Sequence, residues 1–244
     1  MSLRAPSFSI ALLPPLLAAL LAIAHGPAAA VSGPANANVS PLPALQTFRF
    51  QQGVAPTATY TGAADIELRE QATKTNVGSA HLLTVDGVDN ARSRRHVLLR
   101  WDLRPLPGSC VTISSATITL RVTNASVDAY EFYSILVPWS EQEATWLQRS
   151  AAATWQSPGA VGEGDSATLA IATTLPSPST GAAHYPLPAS GVALLQAWKD
   201  GTQANYGVGL IVRNTFDDDG LSFAAKESLD PATRPALTIT CRGY

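Results

Sequence analysis

The feature that most constrains this chain is a two-residue alternation of apolar and polar side chains in short runs. Val97, Leu99, Trp101 and Leu103 alternate with Leu98, Arg100 and Asp102, while Ala116, Ile118, Leu120 and Val122 alternate with Thr117, Thr119, Arg121 and Thr123. Successive side chains on a strand point to opposite faces, so each run offers one face to a core and one to water. β-prone runs also occupy 65–69, 81–85, 129–136, 166–172, 207–213, 222–226 and 236–241. Turn-forming residues separate them, since 17 Gly and 18 Pro are spread along 244 residues and disfavour long helices. The pattern predicts an all-β, antiparallel fold, a sandwich or jelly roll rather than an α/β enzyme. One segment departs from it. Val192, Leu195 and Trp198 recur at helical spacing, which predicts a short helix over 191–199 with Trp198 plugging one end of the sandwich.

The first 30 residues read as a signal peptide. Arg4 precedes an apolar stretch from Ile10 to Ala24 that contains Pro14 and Pro15, and Ala28-Ala29-Ala30 offers a cleavage site after Ala30. The stretch is too short to span a membrane, so no span is expected after cleavage. Residues 31–56, rich in Ala, Pro, Asn and Ser, read as a linker whose only strand-like part is Thr47 to Gln51, and 57–244 as the sandwich domain. Asn38 and Asn124 stand in glycosylation sequons.

Export decides the reading of the two cysteines. In an oxidising compartment Cys110 and Cys241 are most simply one disulfide, tying the last strand to the middle of a sheet. Two cysteines exclude a four-cysteine zinc site. The charge balance, 16 basic against 18 acidic residues with Lys74, Lys199 and Lys226 the only lysines, excludes a protein held to nucleic acid by phosphate neutralisation.

Five blocks in order resemble a known family. Asp65-Ile66-Glu67-Leu68-Arg69-Glu70 with Thr75-Asn76-Val77-Gly78-Ser79 looks like the opening of the DNRLRE domains, also grouped as carbohydrate-binding module family 96. Arg95 to Asp102 followed by Ile113-Ser114-Ser115-Ala116, then Val137-Pro138-Trp139-Ser140-Glu141 with Thr145-Trp146, then Trp198 with Asn205-Tyr206-Gly207, and last Phe223 to Glu227 with Arg234-Pro235-Ala236-Leu237, continue the likeness. Ile66 and Glu67 depart from the name motif, and Val77 stands where the family usually has an aromatic. The resemblance implies a secreted jelly-roll sandwich, often attached to polysaccharide-active or surface proteins, with some members binding acidic polysaccharide such as alginate.

Catalytic constellations are not evident in the sequence. His81, His96 and His184 have no neighbouring Ser or Cys in a nucleophile context, and Glu141, which with Glu143 could be imagined as an acid and base pair, reads better as a turn residue bonding backbone amides. Uronate carboxylates are bound well by arginines, and sugar faces by exposed aromatics. Arg92, Arg94 and Arg95 cluster before one strand, and Arg100 and Arg121 lie on the polar phase of two others. Trp155 and Tyr185, in loop-like surroundings, are the stacking candidates, whereas Trp101 faces inward and Trp139 and Trp146 pack under a long connection. Asp217, Asp218 and Asp219 before Gly220 form a turn that suits calcium.

The expected function is that of a secreted, non-catalytic carbohydrate-binding module for uronate-containing polysaccharide. Its rivals are a structural or adhesive domain of extracellular matrix or cell wall and, further off, a jelly-roll polysaccharide lyase or hydrolase.

Overall fold

A computed structural model describes residues 44–88, 94–174, 176, 179–213 and 219–243. The leader, Asn38, Arg92, Asp217 and Asp218 lie outside them. The strands are β1 (Leu45–Gln51), β2 (Ala63–Arg69), β3 (Leu82–Val85), β4 (Arg95–Trp101), β5 (Thr112–Asn124), β6 (Glu131–Ile135), β7 (Gln148–Ser150), β8 (Ala153–Thr154), β9 (Ser166–Thr173), β10 (Gly181–Pro186), β11 (Val208–Leu210), β12 (Leu221–Ala224) and β13 (Ala236–Arg242). Among the described residues a single α-helix, α1 (Ala189–Lys199), follows β10.

Two antiparallel sheets form the sandwich. One runs β1-β13-β5-β12-β3, with β10 also paired to β5; the other runs β2-β4-β11-β6-β9, and β7 and β8 make a separate ribbon. Val97, Leu99, Phe132 and Leu210 from one sheet meet Leu83, Ile118, Leu120, Phe223, Leu237 and Ile239 from the other in a shared dry core. Burying these side chains is the main stabilising term, each contributing roughly 1.5–3 kcal/mol. On α1 Gly191, Leu195 and Trp198 are buried, so one face of the helix closes an end of the core. Gln196 fastens it: its Oε1 accepts the Ile113 N–H at 2.8 Å and its Nε2 donates to the Val111 carbonyl.

Cys110 and Cys241 are bonded, with Cα atoms 5.1 Å apart. The bond joins the approach to β5, the longest strand, to its neighbour β13.

Three elements differ from the sequence reading. Leu45–Gln51 lies wholly within 31–56, read as a linker with a strand-like part at Thr47 to Gln51, yet pairs with β13 over its whole length, from Leu45 opposite Arg242 to Gln51 opposite Ala236. Phe50 supplies the reason, since its side chain is buried in the core. β10 was not expected because Gly181-Ala182-Ala183 carries no apolar period; it forms because β5 offers unpaired backbone groups that β10 satisfies from Thr117 to Val122. The third is the β7–β8 ribbon, which crosses the outside of a sheet as part of a covering layer.

That layer explains β4. His96 and Leu98 lie on its polar phase, yet both are fully buried. A second apolar cluster of Ile66, Leu68, Leu98, Tyr133, Ile135, Trp139, Trp146, Trp155 and Ile211 sits on the outer face of the β2-β4-β11-β6-β9 sheet, under the segment from 137 to 161. Gly159 holds a positive φ of 79° where a side chain would collide with the Trp146 ring, so the segment can lie flat on the indole.

Candidate functional site

Packing and ion pairs consume most of the groups expected to bind sugar. Trp155 and Tyr185 are corrections. The Trp155 indole lies in the second cluster with Nε1 donating to the Thr145 carbonyl at 2.9 Å, and Tyr185 points from β10 into the core against Phe132, ring centroids 5.8 Å apart. Neither presents a ring face to solvent. Trp139 and Trp146 pack under the connection and Trp101 faces inward, as read from the sequence.

The arginines before and on β4 are also engaged. Arg94 makes a two-pronged pair with Glu70, at 3.0 and 2.8 Å, and its guanidinium lies 5.6 Å from the Trp146 ring centre. Hydrogen bonding to Arg94 holds the Glu70 carboxyl below its ordinary value. Arg95 sits 3.7 Å from Glu67, which also accepts from Arg69 at 2.6 Å. Arg100 stacks on Trp139 at 5.0 Å and lines a cleft of about 410 Å³ with Arg104, Asp102, Glu141 and Asn205. Arg104 is paired with Asp102 at 2.6 Å, so that cleft mixes both signs of charge.

Arg121 stands elsewhere. It lies on the outer face of the β5 sheet, exposed, and its side chain makes no hydrogen bond or ion pair among the described residues. The strand order places Arg49 of β1, Thr119 and Arg121 of β5, His184 of β10 and Arg234, just before β13, around one groove of about 330 Å³. Arg49 is oriented by Gln51, whose Oε1 accepts its Nε–H at 3.0 Å. Arg234 is fixed by the Ser228 and Gln52 carbonyls, each at 3.0 Å. Thr119 Oγ1 and His184 Nδ1 are 3.0 Å apart. Three arginines thus line the groove with a single carboxylate residue, Asp230, which caps the Ala232 N–H. Arg49, His184 and Arg234 escaped the sequence reading because nothing local marks them; only the pairing of β1, β13, β5 and β10 gathers them.

Around this groove the sheet is hydroxyl-rich. Thr47 and Thr240 bond each other at 3.2 Å, and Thr117 and Thr238 are cross-strand partners. No aromatic stands among the exposed large apolar side chains described.

At the opposite edge, three carboxylates converge. Asp65 of β2 faces the inter-sheet space at 2% exposure, and its Oδ2 accepts the Lys226 N–H at 2.6 Å. Glu141, from the covering segment, accepts the Asp65 N–H at 2.7 Å. Glu227 follows Lys226, whose Nζ lies 3.2 Å from Glu141 and also bonds Glu227. Burial raises Asp65 well above the usual carboxylate range, against the Lys226 N–H bond, and burial likewise raises Glu141. Asn76 pins this corner by donating to the Glu141 and Ala144 carbonyls, each at 2.8 Å, and Gly78 approaches so closely that a side chain would strike the Glu141 carbonyl. Of the calcium turn only Asp219 is described; its carbonyl accepts Tyr130 Oη–H at 2.9 Å and its Oδ2 accepts the Val127 N–H. The sequon residue Asn124 is exposed and donates to the Gly220 carbonyl at 3.0 Å.

A two-sheet antiparallel sandwich is an architecture shared by many domains of unrelated function, so function has to be argued from the site. Over residues 56–164 the chain matches the model of carbohydrate-binding module family 96, in agreement with the resemblance in its sequence. No curated protein matches the chain. Among the described residues no helix is long and apolar enough to cross a membrane.

Proposed function

We propose that the protein is a secreted, non-catalytic module that holds an acidic, uronate-containing polysaccharide on the open face of the β5 sheet. The observation that carries this reading is the groove of Arg49, Arg121, His184 and Arg234 on a hydroxyl-rich surface. Guanidinium groups bond carboxylates in a directional, two-pronged way, and threonine hydroxyls suit sugar hydroxyls. Neutral glucans are commonly gripped by stacking on exposed rings, and the tryptophans that would serve lie under the covering segment. Arg49, His184 and Arg234 fall outside residues 56–164, so the family match does not reach them and the reading rests on their geometry.

Titration calorimetry with polyuronate and with a neutral glucan tests it. Arg49→Ala/Arg121→Ala is expected to weaken polyuronate binding by about tenfold or more, since each charge-assisted bond contributes roughly 1.5–3 kcal/mol. Wild-type affinity is expected to fall as salt rises, because exposed charges are screened within about 8–10 Å at physiological ionic strength. Loss in Arg100→Ala with unchanged binding in the double variant would move the site to the Arg100 cleft. Tight glucan binding, or polyuronate binding untouched by all three substitutions, would overturn the reading.

A further inference from the structure

We propose that Asp65, Glu141 and Glu227 form a binding site for a divalent cation of the calcium class at the edge of the sandwich. One carboxylate oxygen from each lies within 4.8 Å of the other two. Oxygens bound to one calcium ion at about 2.4 Å are at most about 4.8 Å apart, so the spacing of the three meets the distance limit for sharing a single ion.

Two oxygens here lack any partner. Asp65 spends Oδ2 on the Lys226 N–H, but its Oδ1 is buried and unbonded, and Glu227 Oε2 is in the same state. A buried carboxylate oxygen without a donor is costly, and native proteins normally satisfy it with a hydrogen bond or an ion. Charge counting agrees. Ionised together as ligands, the three carboxylates beside the single ammonium of Lys226 would carry two negative charges in excess, which one divalent cation neutralises.

The three ligands also arrive on rigid supports. Asp65 is held in β2 by its pairing with β4, Glu141 by Asn76 through its carbonyl, and Glu227 by His81, whose Nδ1 donates to the Glu227 carbonyl at 2.6 Å. A cation here would join a strand of one sheet, the covering segment and the connection from β12 to β13, three parts distant in sequence. The site is separate from the arginine groove and does not depend on carbohydrate.

The test uses the full chain, stripped with EDTA and exchanged into chelator-free buffer. Calorimetric titration with calcium chloride is expected to give one saturable site, and millimolar calcium to raise the Tm by several degrees over a sodium chloride control of equal ionic strength. Glu227→Gln, which keeps the shape, is expected to lose both the heat and the shift while melting no lower than cation-free wild type. Lys226→Met removes the competing ammonium and is expected to bind calcium several-fold more tightly. Absence of heat and shift in wild type overturns the proposal. So does an undiminished shift in both Glu227→Gln and Asp65→Asn, which would assign the ion to another part of the chain.

Discussion

The outer face of the β2-β4-β11-β6-β9 sheet is dry, whereas that of the β5 sheet is wet, and the strands write this difference into their composition. In β5 the outward phase is Thr117, Thr119, Arg121 and Thr123, a clean alternation. In β4 the outward phase is His96, Leu98 and Arg100, so Val97-Leu98-Leu99 runs apolar without interruption. A strand buried on one face alternates, and a strand buried on both does not. The pair of strands teaches that where alternation breaks, a third layer is to be sought, and here it is the tryptophan-bearing segment from 137 to 161. The open face is what remains for a ligand. It is also the sheet that the disulfide secures, while the dry face is secured by packing.

That division predicts where the molecule is fragile. Breaking the Cys110–Cys241 bond, which closes a loop of 131 residues, is expected to cost about 4–5 kcal/mol on the chain-entropy account, read as a lowered urea midpoint for Cys110→Ala/Cys241→Ala. A drop under 1 kcal/mol would mean that packing alone holds the open sheet.

Trp146→Ala is expected to cost roughly 3–5 kcal/mol, because the ring is 4% exposed and lies 5.0 Å from the His96 ring. If instead it were neutral, the covering segment would not be part of the folded unit.

Acid should attack the dry face selectively. His96 is fully buried with Nδ1 bonded to the Gly159 carbonyl at 2.7 Å, and burial lowers its pKa from 6.5 to about 4. The unfolded chain therefore binds a proton that the folded chain refuses between those values. Stability from this residue is complete above pH 6.5 and is lost as pH falls towards 4, by on the order of 3 kcal/mol. His96→Gln, which has no such proton to take up, is expected to flatten that part of the pH profile of unfolding free energy. An unchanged slope in the variant would assign the acid sensitivity to other groups.

The smallest effect belongs to the open face. Thr119→Ala is expected to change stability by no more than about 0.5 kcal/mol, as for other partly exposed surface positions, and a loss above 1.5 kcal/mol in urea unfolding would show that this face is packed.

Much of this was legible in the sequence. The period of two marked the central strands, and Val192, Leu195 and Trp198 marked α1, whose observed span of 189–199 begins two residues earlier than the spacing indicates. Phe48 and Phe50 carried a strand signal within the linker-like composition of 31–56. β10 carried none, because its pairing is a property of β5's open edge. The candidate site was legible only in part. Arg121 was visible as a charge on a polar phase, but Arg94 and Arg95 looked equally available until Glu70 and Glu67 were found beside them.

The sequence by itself therefore determined which residues turn toward a core, the class of fold and the two cysteines available to bond, since alternation, turn chemistry and residue type are local properties. Tertiary structure alone decided which arginines stay free, which tryptophans are hidden and which carboxylates meet. Those outcomes depend on strand order and register, through which Arg49, Arg121, His184 and Arg234 become neighbours, as do Asp65, Glu141 and Glu227. Charge and stacking act across a few ångströms of space, and long-range pairing sets those distances irrespective of separation along the chain.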